Sequence, residues 1–387
     1  MISLEVPRKF SALINQAHQT AAEVLRANSR KYDTAEHAYP KELDLLASVV
    51  DGLNASSATG GAGAAGVRRT ERNGTPKNTN GTNMSTALSI MEMCWGDVGL
   101  LLSMPRQGLG NSAIASMAIT EPQCGSDSAA IRTTATLDGD HYVLNGEKIF
   151  VTAGQRSDSV VVWATLDKRL GRAAIKSFLV TKDTPGLTVA RLEHKLGIRA
   201  SDTATLLLEN CRVPKENLLG NPEIDTSGGF AGAMQTFDNT RPLVAAMAVG
   251  VARAALEETR RLLTDAGVKI DYDRPVNSQS HAAATFLTME ADWEAAYLLV
   301  LQAAWLADNG TPNSLQASMA KAKAGRCGND ITLRCVELAG TAGYSEHSLL
   351  EKWARDSKIL DIFEGTQQIQ QLIVARRLLG KSSADLT

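Results

Sequence analysis

Residues 117–152, MAITEPQCGSDSAAIRTTATLDGDHYVLNGEKIFVT, decide how the chain divides. The runs TTATL, HYVLNG and KIFVT are rich in β-branched and aromatic residues. Gly, Asp and Asn turn signals separate them at the spacing of antiparallel strands. The pattern begins at AIASMAIT, near residue 114, and continues through SVVVWATL, IKSFLVT, LTVARL and ATLLLE. No helix-length segment intervenes, so these strands predict an antiparallel sheet or small barrel rather than a βαβ unit.

Both flanks have helical periodicity. Upstream, Phe10, Leu13, Ile14, Ala17, Ala21, Val24 and Leu25 form an apolar stripe. Pro40 opens a second segment with Leu43, Leu45, Leu46, Val49 and Val50, and Met84 to about Met104 reads as one long buried helix. Downstream, Ala- and Leu-rich segments at about 230–264, 280–308, 313–340 and 364–380 read as closely packed bundle helices. The expected fold class is α+β multidomain. An N-terminal α-helical domain (1–113) precedes a middle antiparallel β domain (114–224) and a C-terminal four-helix-bundle-like α domain (225–387).

Composition excludes several function classes. With 387 residues, 44% hydrophobic and 21% charged, the chain has the profile of a soluble protein with ample core. A net charge of -2 carries no nucleic-acid or membrane-surface signature. The opening MISLEVPRKF lacks the apolar run of a signal peptide, and no stretch reaches membrane-span length, so a cytoplasmic location is expected. Cys94, Cys124, Cys211, Cys327 and Cys335 are scattered and read as reduced thiols filling core. The six histidines form no cluster along the sequence, and no metal site is expected.

One motif misleads. Gly61, Gly63 and Gly66 spell GxGxxG, but a dinucleotide fingerprint needs a strand before it, a helix after it and an acid some twenty residues on. Here a Ser/Ala/Thr run precedes it, RRTERNG follows, and the nearest suitable acid, Glu92, lies within a helical stretch. The segment reads as a long polar loop.

The candidate for chemistry is Glu364, in DIFEGTQQIQQLIVARRLLG (361–380). From Gln367 onward, Ile369, Leu372, Ile373, Arg376 and Leu379 recur at helical spacing. Gly365 and Thr366 fit the helix start, where free N–H groups point outward. A carboxylate in apolar surroundings has a raised pKa, which suits a general base near neutral pH. An acid at a helix N-terminus is also favoured by the dipole alone.

Five ordered segments together resemble the acyl-CoA dehydrogenase family. MAITEPQCGSDSAAIRTTA (117–135) resembles the signature "xTEPxxGSD", and LNGEKIFVTAG (144–154) resembles the strand "NGxKxWIT". KLGIRASDTATLLLENCRVPKENLLG (195–220), FDNTRPLVAAMAVGVARAAL (237–256) and DIFEGTQQIQQLIVAR (361–376) complete the series. The resemblance implies FAD, a CoA thioester substrate and α,β-dehydrogenation, with electrons leaving to an electron-transferring flavoprotein. Glu364 is then the base that takes the α-proton while the β-hydride passes to flavin N5. The thioester carbonyl would bind the base residue's own N–H and a ribityl hydroxyl. Met117, Ile119, Thr120, Gly125, Ser126, Phe150 and Thr152 would surround the flavin ring, with Phe150 in place of the more usual Trp. Thr366 and Gln368 would lie near the adenosine portion. Ser126, Asp238, Arg241 and Gly365 would contact substrate.

Three departures from the family pattern carry further expectations. The segment AGVKIDYDRPVNSQ (266–279) stands where the family has "RxxFG", whose Arg and Phe reach a neighbouring subunit's FAD. ELAGTAGY (337–344) puts Glu337 where a Gln would face the neighbour's FAD pyrophosphate, a repulsive placement with nothing in the sequence to compensate it. Together they predict a heteromer, with α2β2 fitting the family, in which a related chain supplies the missing groups. Third, GLGNSAIAS runs straight into MAITEP where the family has some twenty more residues, which bears on the acyl pocket. By analogy with heteromeric members, the acyl group could be bulky or branched, even a steroid side chain. An oxidase of the same fold and a non-catalytic subunit of a heteromer are the competing readings.

Overall fold

The computed structural model describes residues 6–44, 79–104, 115–224 and 231–381, with side chains omitted at 231–239. The GxGxxG loop, Leu45 to Val50 and most of the GLGNSAIAS segment lie outside the described residues.

The N-terminal helices are α1 (Ser11–Thr20), a π-helical stretch (Ala21–Arg26), α2 (Ala27–Thr34), α3 (Thr82–Gly96) and α4 (Val98–Leu101). The single long helix expected from Met84 to Met104 is broken at Asp97. Its backbone is extended (φ -165, ψ 121), and its carboxylate accepts the N–H of Leu100 at 2.7 Å, capping α4.

The middle region is an eight-stranded sheet: β1 (Ala115–Ala118), β2 (Thr134–Asp138), β3 (His141–Thr152), β4 (Ser159–Thr165), β5 (Ile175–Thr181), β6 (Leu187–Leu192), β7 (Thr203–Pro214) and β8 (Leu218–Leu219). The strand order is β6-β7-β3-β2-β4-β5-β8, with β1 paired to β4. Pairing is antiparallel as expected, except that β1 and β2 each meet β4 in parallel. Alternating residues such as Leu144, Val151, Val160, Val162, Phe178, Val180, Leu206 and Leu208 form one buried core.

The C-terminal helices are α5 (Ala231–Asp265), α6 (His281–Asp308), α7 (Ser314–Ala339), α8 (Thr341–Tyr344), α9 (Leu350–Leu360) and α10 (Gln367–Leu379). Helix α9 is one that periodicity did not single out. Small residues line the main core, among them Ala245, Ala248, Ala252, Ala255, Ala320 and Ala324, and they let the helices approach closely. All five cysteines are buried and unpaired. No helix among the described residues is long and apolar enough to cross a membrane.

Helix α9 ties the three regions together. Lys352, fully buried, donates to Asp97 Oδ2 at 2.7 Å and to Asp356 Oδ2 at 2.5 Å. Asp356 Oδ1 in turn accepts the backbone N–H of Ile198, in the loop between β6 and β7. Arg355 pairs with Asp33 of α2 at 2.6 Å. The helix that leads into Glu364 is therefore clamped to both the N-terminal helices and the β region.

Candidate active site

Glu364 sits in the turn between α9 and α10, and its backbone is left-handed (φ 57), as is that of Gly365 (φ 94). A left-handed non-glycine residue is sterically costly and persists only where its surroundings fix it. Gly365 is required twice over: its φ disfavours any side chain, and a Cβ there would collide with the Gln370 amide. Upstream, Gly325 of α7 lets that helix approach the turn, since a Cβ would lie 2.8 Å from the Leu360 carbonyl oxygen. Downstream, Thr366 is the N-cap of α10, accepting from the Ile369 N–H at 3.4 Å, and left-handed Gly380 closes that helix.

The Glu364 carboxylate accepts the Thr240 hydroxyl at 2.7 Å. Burial pushes its pKa up; the Thr240 hydrogen bond and the charges of Arg241 and Lys321 oppose that rise without cancelling it. The Glu364 carbonyl accepts the Gln370 amide at 2.9 Å. The Gly365 carbonyl accepts the Lys321 ammonium at 2.6 Å. Among the described residues, no acceptor takes the backbone N–H of Glu364. A carboxylate with raised pKa and a free N–H on the same residue can accept a proton from a carbon and donate to the oxygen that gains the charge.

The predicted flavin shell collects on one part of the sheet. Met117 and Ile119 are half-buried on or just after β1, Thr120 follows, and Gly125 and Ser126 are exposed in the turn beyond. Phe150 and Thr152 lie at the end of β3. The register of β3 on β7 shifts between Lys148 and Val151, because both residues face inward although three positions apart. The extra residue makes a bulge, and Phe150 is turned out of it with φ 55 and 58% exposure. A Cβ on Gly125 would meet nothing within 4 Å. An open ledge with an outward aromatic ring, a bare glycine and the hydroxyls of Thr120, Ser126 and Thr152 fits the rim and face of a flat ring system such as a flavin. This supports the cofactor on structural grounds.

The remaining expected residues are spread over two helices. Arg241 is buried on α5, one residue from Thr240, and its charge bears on Glu364. Asp238 falls where only the helical backbone is described. Thr366 is half-buried at the start of α10, and Gln368 is exposed on its first turn.

Several functional candidates escaped the sequence reading. Glu121, the acid of the TEP segment, is buried and accepts from Lys148 at 2.8 Å, from the N–H groups of Arg132 (2.6 Å) and Thr133 (2.9 Å), and from the Thr133 hydroxyl (2.5 Å). This knot shapes the turn that carries Gly125 and Ser126. Thr240, Lys321 and Gln370 were also missed. Lys321 had a legible signal: its neighbours on the same helix face, Ala317, Ala324 and Gly325, are all small, which marks a buried lysine.

Two expectations need correction. Glu337 is not without compensation, because Arg334, one turn earlier on α7, donates to it at 3.2 Å. The histidines are not all dispersed: His37 and His194 approach with ring centroids 5.0 Å apart, beside Glu36. Glu36 there accepts from the His194 ring at 2.9 Å and from the Lys195 N–H at 3.0 Å, and the Lys195 side chain places a cation nearby. Those contacts satisfy Glu36 and His194, whereas both ring nitrogens of His37 are buried without a hydrogen-bond partner among the described residues. Residues 266–279 form a tight loop pinned by the Gln279 amide, which bonds Asp271 and Arg274; Tyr272 is exposed, with its hydroxyl on Glu290.

Comparison with known proteins agrees with this layout. Residues 116–211 match the family model "Acyl-CoA dehydrogenase, middle domain", and residues 227–379 match "Acyl-CoA dehydrogenase, C-terminal domain". The chain is 37% identical over 265 residues to "Acyl-CoA dehydrogenase, short-chain specific" of Clostridium acetobutylicum, a match covering 68% of each chain. It is 40% identical over 266 residues to the mitochondrial short-chain specific acyl-CoA dehydrogenase of Bos taurus, covering 69% of this chain and 63% of that protein, just under two thirds of its length. The solved structure of butyryl-CoA dehydrogenase from Megasphaera elsdenii superimposes with a TM-score of 0.79 at 27% identity, covering 98% of this chain and all of the other. The chain belongs to the acyl-CoA dehydrogenase family.

Proposed function

We propose that this chain α,β-dehydrogenates an acyl-CoA thioester, with Glu364 as the base. The observation that carries the reading is the Glu364 carboxylate, buried enough to have a raised pKa and held by Thr240, on a residue whose own N–H meets no acceptor among the described residues. The thioester carbonyl accepts that N–H, which stabilises enolate charge as the α-proton moves to the carboxylate. The charges of Arg241 and Lys321 favour the ionised form of the carboxylate against burial. Bound FAD supplies the hydride acceptor at N5. The ledge formed by Met117, Ile119, Thr120, Gly125, Ser126, Phe150 and Thr152 holds the ring. Thr366 and Gln368 approach the adenosine portion, and Ser126, Asp238, Arg241 and Gly365 contact the substrate. Electrons leave to an electron-transferring flavoprotein, and the enzyme works in the cytoplasm as an α2β2 complex with a related chain. The absence of RxxFG in 266–279 supports the complex.

The test is anaerobic mixing of the purified flavoprotein with CoA thioesters of graded chain length, beginning with butanoyl-CoA because similar enzymes are named short-chain. Bleaching of the flavin by a thioester, and its loss in Glu364→Gln, are expected. No bleaching by any thioester, straight or branched, would overturn the reading. Rapid reoxidation by air rather than by an electron-transferring flavoprotein would make the chain an oxidase. Full activity of a Glu364→Gln complex would make it a non-catalytic subunit.

A further inference from the structure

We propose that Lys321 and Gln370 are positioning residues for Glu364: gripping two successive carbonyls, they fix the left-handed turn that leaves the Glu364 N–H free and its carboxylate against Thr240. The inference rests on Glu364 being the base.

The two residues come from different helices. Lys321, on α7, donates to the Gly365 carbonyl at 2.6 Å. Gln370, on α10, donates from one amide nitrogen to the Glu364 carbonyl at 2.9 Å and to the Gly365 carbonyl at 3.2 Å. Both side chains are wholly buried. With both carbonyls held, the 364–365 and 365–366 peptide planes cannot rotate. The Glu364 N–H lies in the preceding plane, so the grip acts on it through the Glu364 Cα, by fixing the left-handed turn that carries both the N–H and the carboxylate. Left-handed backbone at two consecutive residues needs this outside support.

A neutral donor could hold a carbonyl at less desolvation cost than an ammonium, so the charge of Lys321 calls for a role of its own. Glu364 is faced by Thr240 and Arg241 from α5 and by Lys321 from α7; Lys321 is faced by Asp361, Glu364 and Arg241. Burial lowers the Lys321 pKa to about 8 against the pull of Asp361 and Glu364, so below that pH Lys321 adds a second cation beside the base and favours its ionised form. Gln370 contributes geometry alone.

Acetyl-CoA separates proton abstraction from oxidation because it has no β-hydrogen. In D2O, an α C–H bond breaks, the proton goes to Glu364, and a solvent deuteron returns to carbon, with no net redox change. Exchange into acetyl-CoA, followed by NMR on the flavin-loaded assembly across pH, is the assay. The 13C shift of the bound thioester carbonyl reports the hydrogen bond from the Glu364 N–H. Lys321→Met is expected to slow exchange by about ten- to a hundredfold, the cost of sub-ångström misplacement, and to move the acid limb of the profile to higher pH. Lys321→Arg is expected to leave the limb in place. Gln370→Met is expected to slow exchange and weaken the carbonyl shift without moving the limb, and it keeps the test alive if Lys321→Met fails to fold. Wild-type exchange and carbonyl shift in Gln370→Met, or an unmoved limb in a folded Lys321→Met, would overturn the proposal. Wild-type exchange that survives Glu364→Gln would instead overturn the assignment of the base.

Discussion

Glu121 and Lys148 meet at 2.8 Å inside the β region, with the lysine fully buried and the acid nearly so. The pair joins the turn after β1 to the middle of β3, so it sets the height of the ledge on which Gly125, Ser126 and Phe150 lie. Removing one partner leaves the other charge buried and uncompensated, which costs about 3–5 kcal/mol. Lys148→Met is expected to destabilise by that order in denaturant unfolding and to lower FAD content. Glu121→Gln combined with Lys148→Met should recover part of the stability, since neither charge is then left alone. Equal stability of wild type and Lys148→Met would mean that the pair is a bystander.

The Glu121 carboxyl lies below its ordinary range, with Lys148 and the donors of Thr133 and Arg132 outweighing burial. A depressed folded-state pKa contributes stability above the unfolded value near 4.3. That contribution is lost as pH falls through the folded value. Glu364 has the opposite sign: its raised pKa means that the folded state binds the proton more tightly. Its contribution is full below the unfolded value and is lost as pH rises through the folded one. Glu364→Gln should therefore remove a destabilisation present at neutral pH. Its melting temperature at pH 7 is expected to equal or exceed that of wild type, while dehydrogenation falls by several orders of magnitude. A lower melting temperature together with retained activity would sink both statements.

Lys352 is the hinge pin of the whole arrangement. Asp97 belongs to the N-terminal helices, Asp356 holds the loop at Ile198, and the lysine joins both carboxylates. Its two partners outweigh burial and push its pKa up. Lys352→Met leaves two buried carboxylates facing each other, and a loss of about 3–5 kcal/mol is expected. Hydrogen exchange should show the β6–β7 loop and the Glu364 turn opening together. Opening confined to α9 would mean that the three regions are not coupled through this side chain.

The three-part order of elements was legible because strand and helix periodicities differ, and the β run from residue 114 is unbroken by either helical spacing or long apolar runs. Glu364 was legible because EGT precedes a clear helix start. What was not legible depends on tertiary contact. The break at Asp97 comes from a carboxylate that caps α4 while serving Lys352, more than 250 residues away. Helix α9 was passed over because charges punctuate its sequence, LEKWARDSKIL; Lys358 is exposed, but Glu351, Lys352, Arg355 and Asp356 turn out to be engaged with other regions rather than solvated. The parallel contact of β1 with β4 follows from a chain path that no local pattern encodes. Lys321 and Gln370 act through backbone carbonyls, and the sequence gives no sign of which carbonyls a buried donor will find.

The Arg334–Glu337 pair bears on assembly. Both side chains are more than half exposed at 3.2 Å, so the pair itself adds little stability. It does place a cation beside the acid that the family resemblance sets against a neighbouring subunit's pyrophosphate, and an anionic ligand there would feel less repulsion than Glu337 alone would give. Two outcomes separate the possibilities when the chain is purified alone and with candidate related chains, measuring flavin per polypeptide and molar mass. A mixed tetramer with half a flavin per polypeptide is the expected result, and Glu337→Gln in this chain should then raise flavin occupancy when it is purified alone. A homotetramer of this chain with one flavin per subunit would instead mean that Arg334 does the neutralising in place of a partner's residue. In that case Arg334→Ala should strip flavin from the assembly while leaving the fold and the Glu364 turn intact.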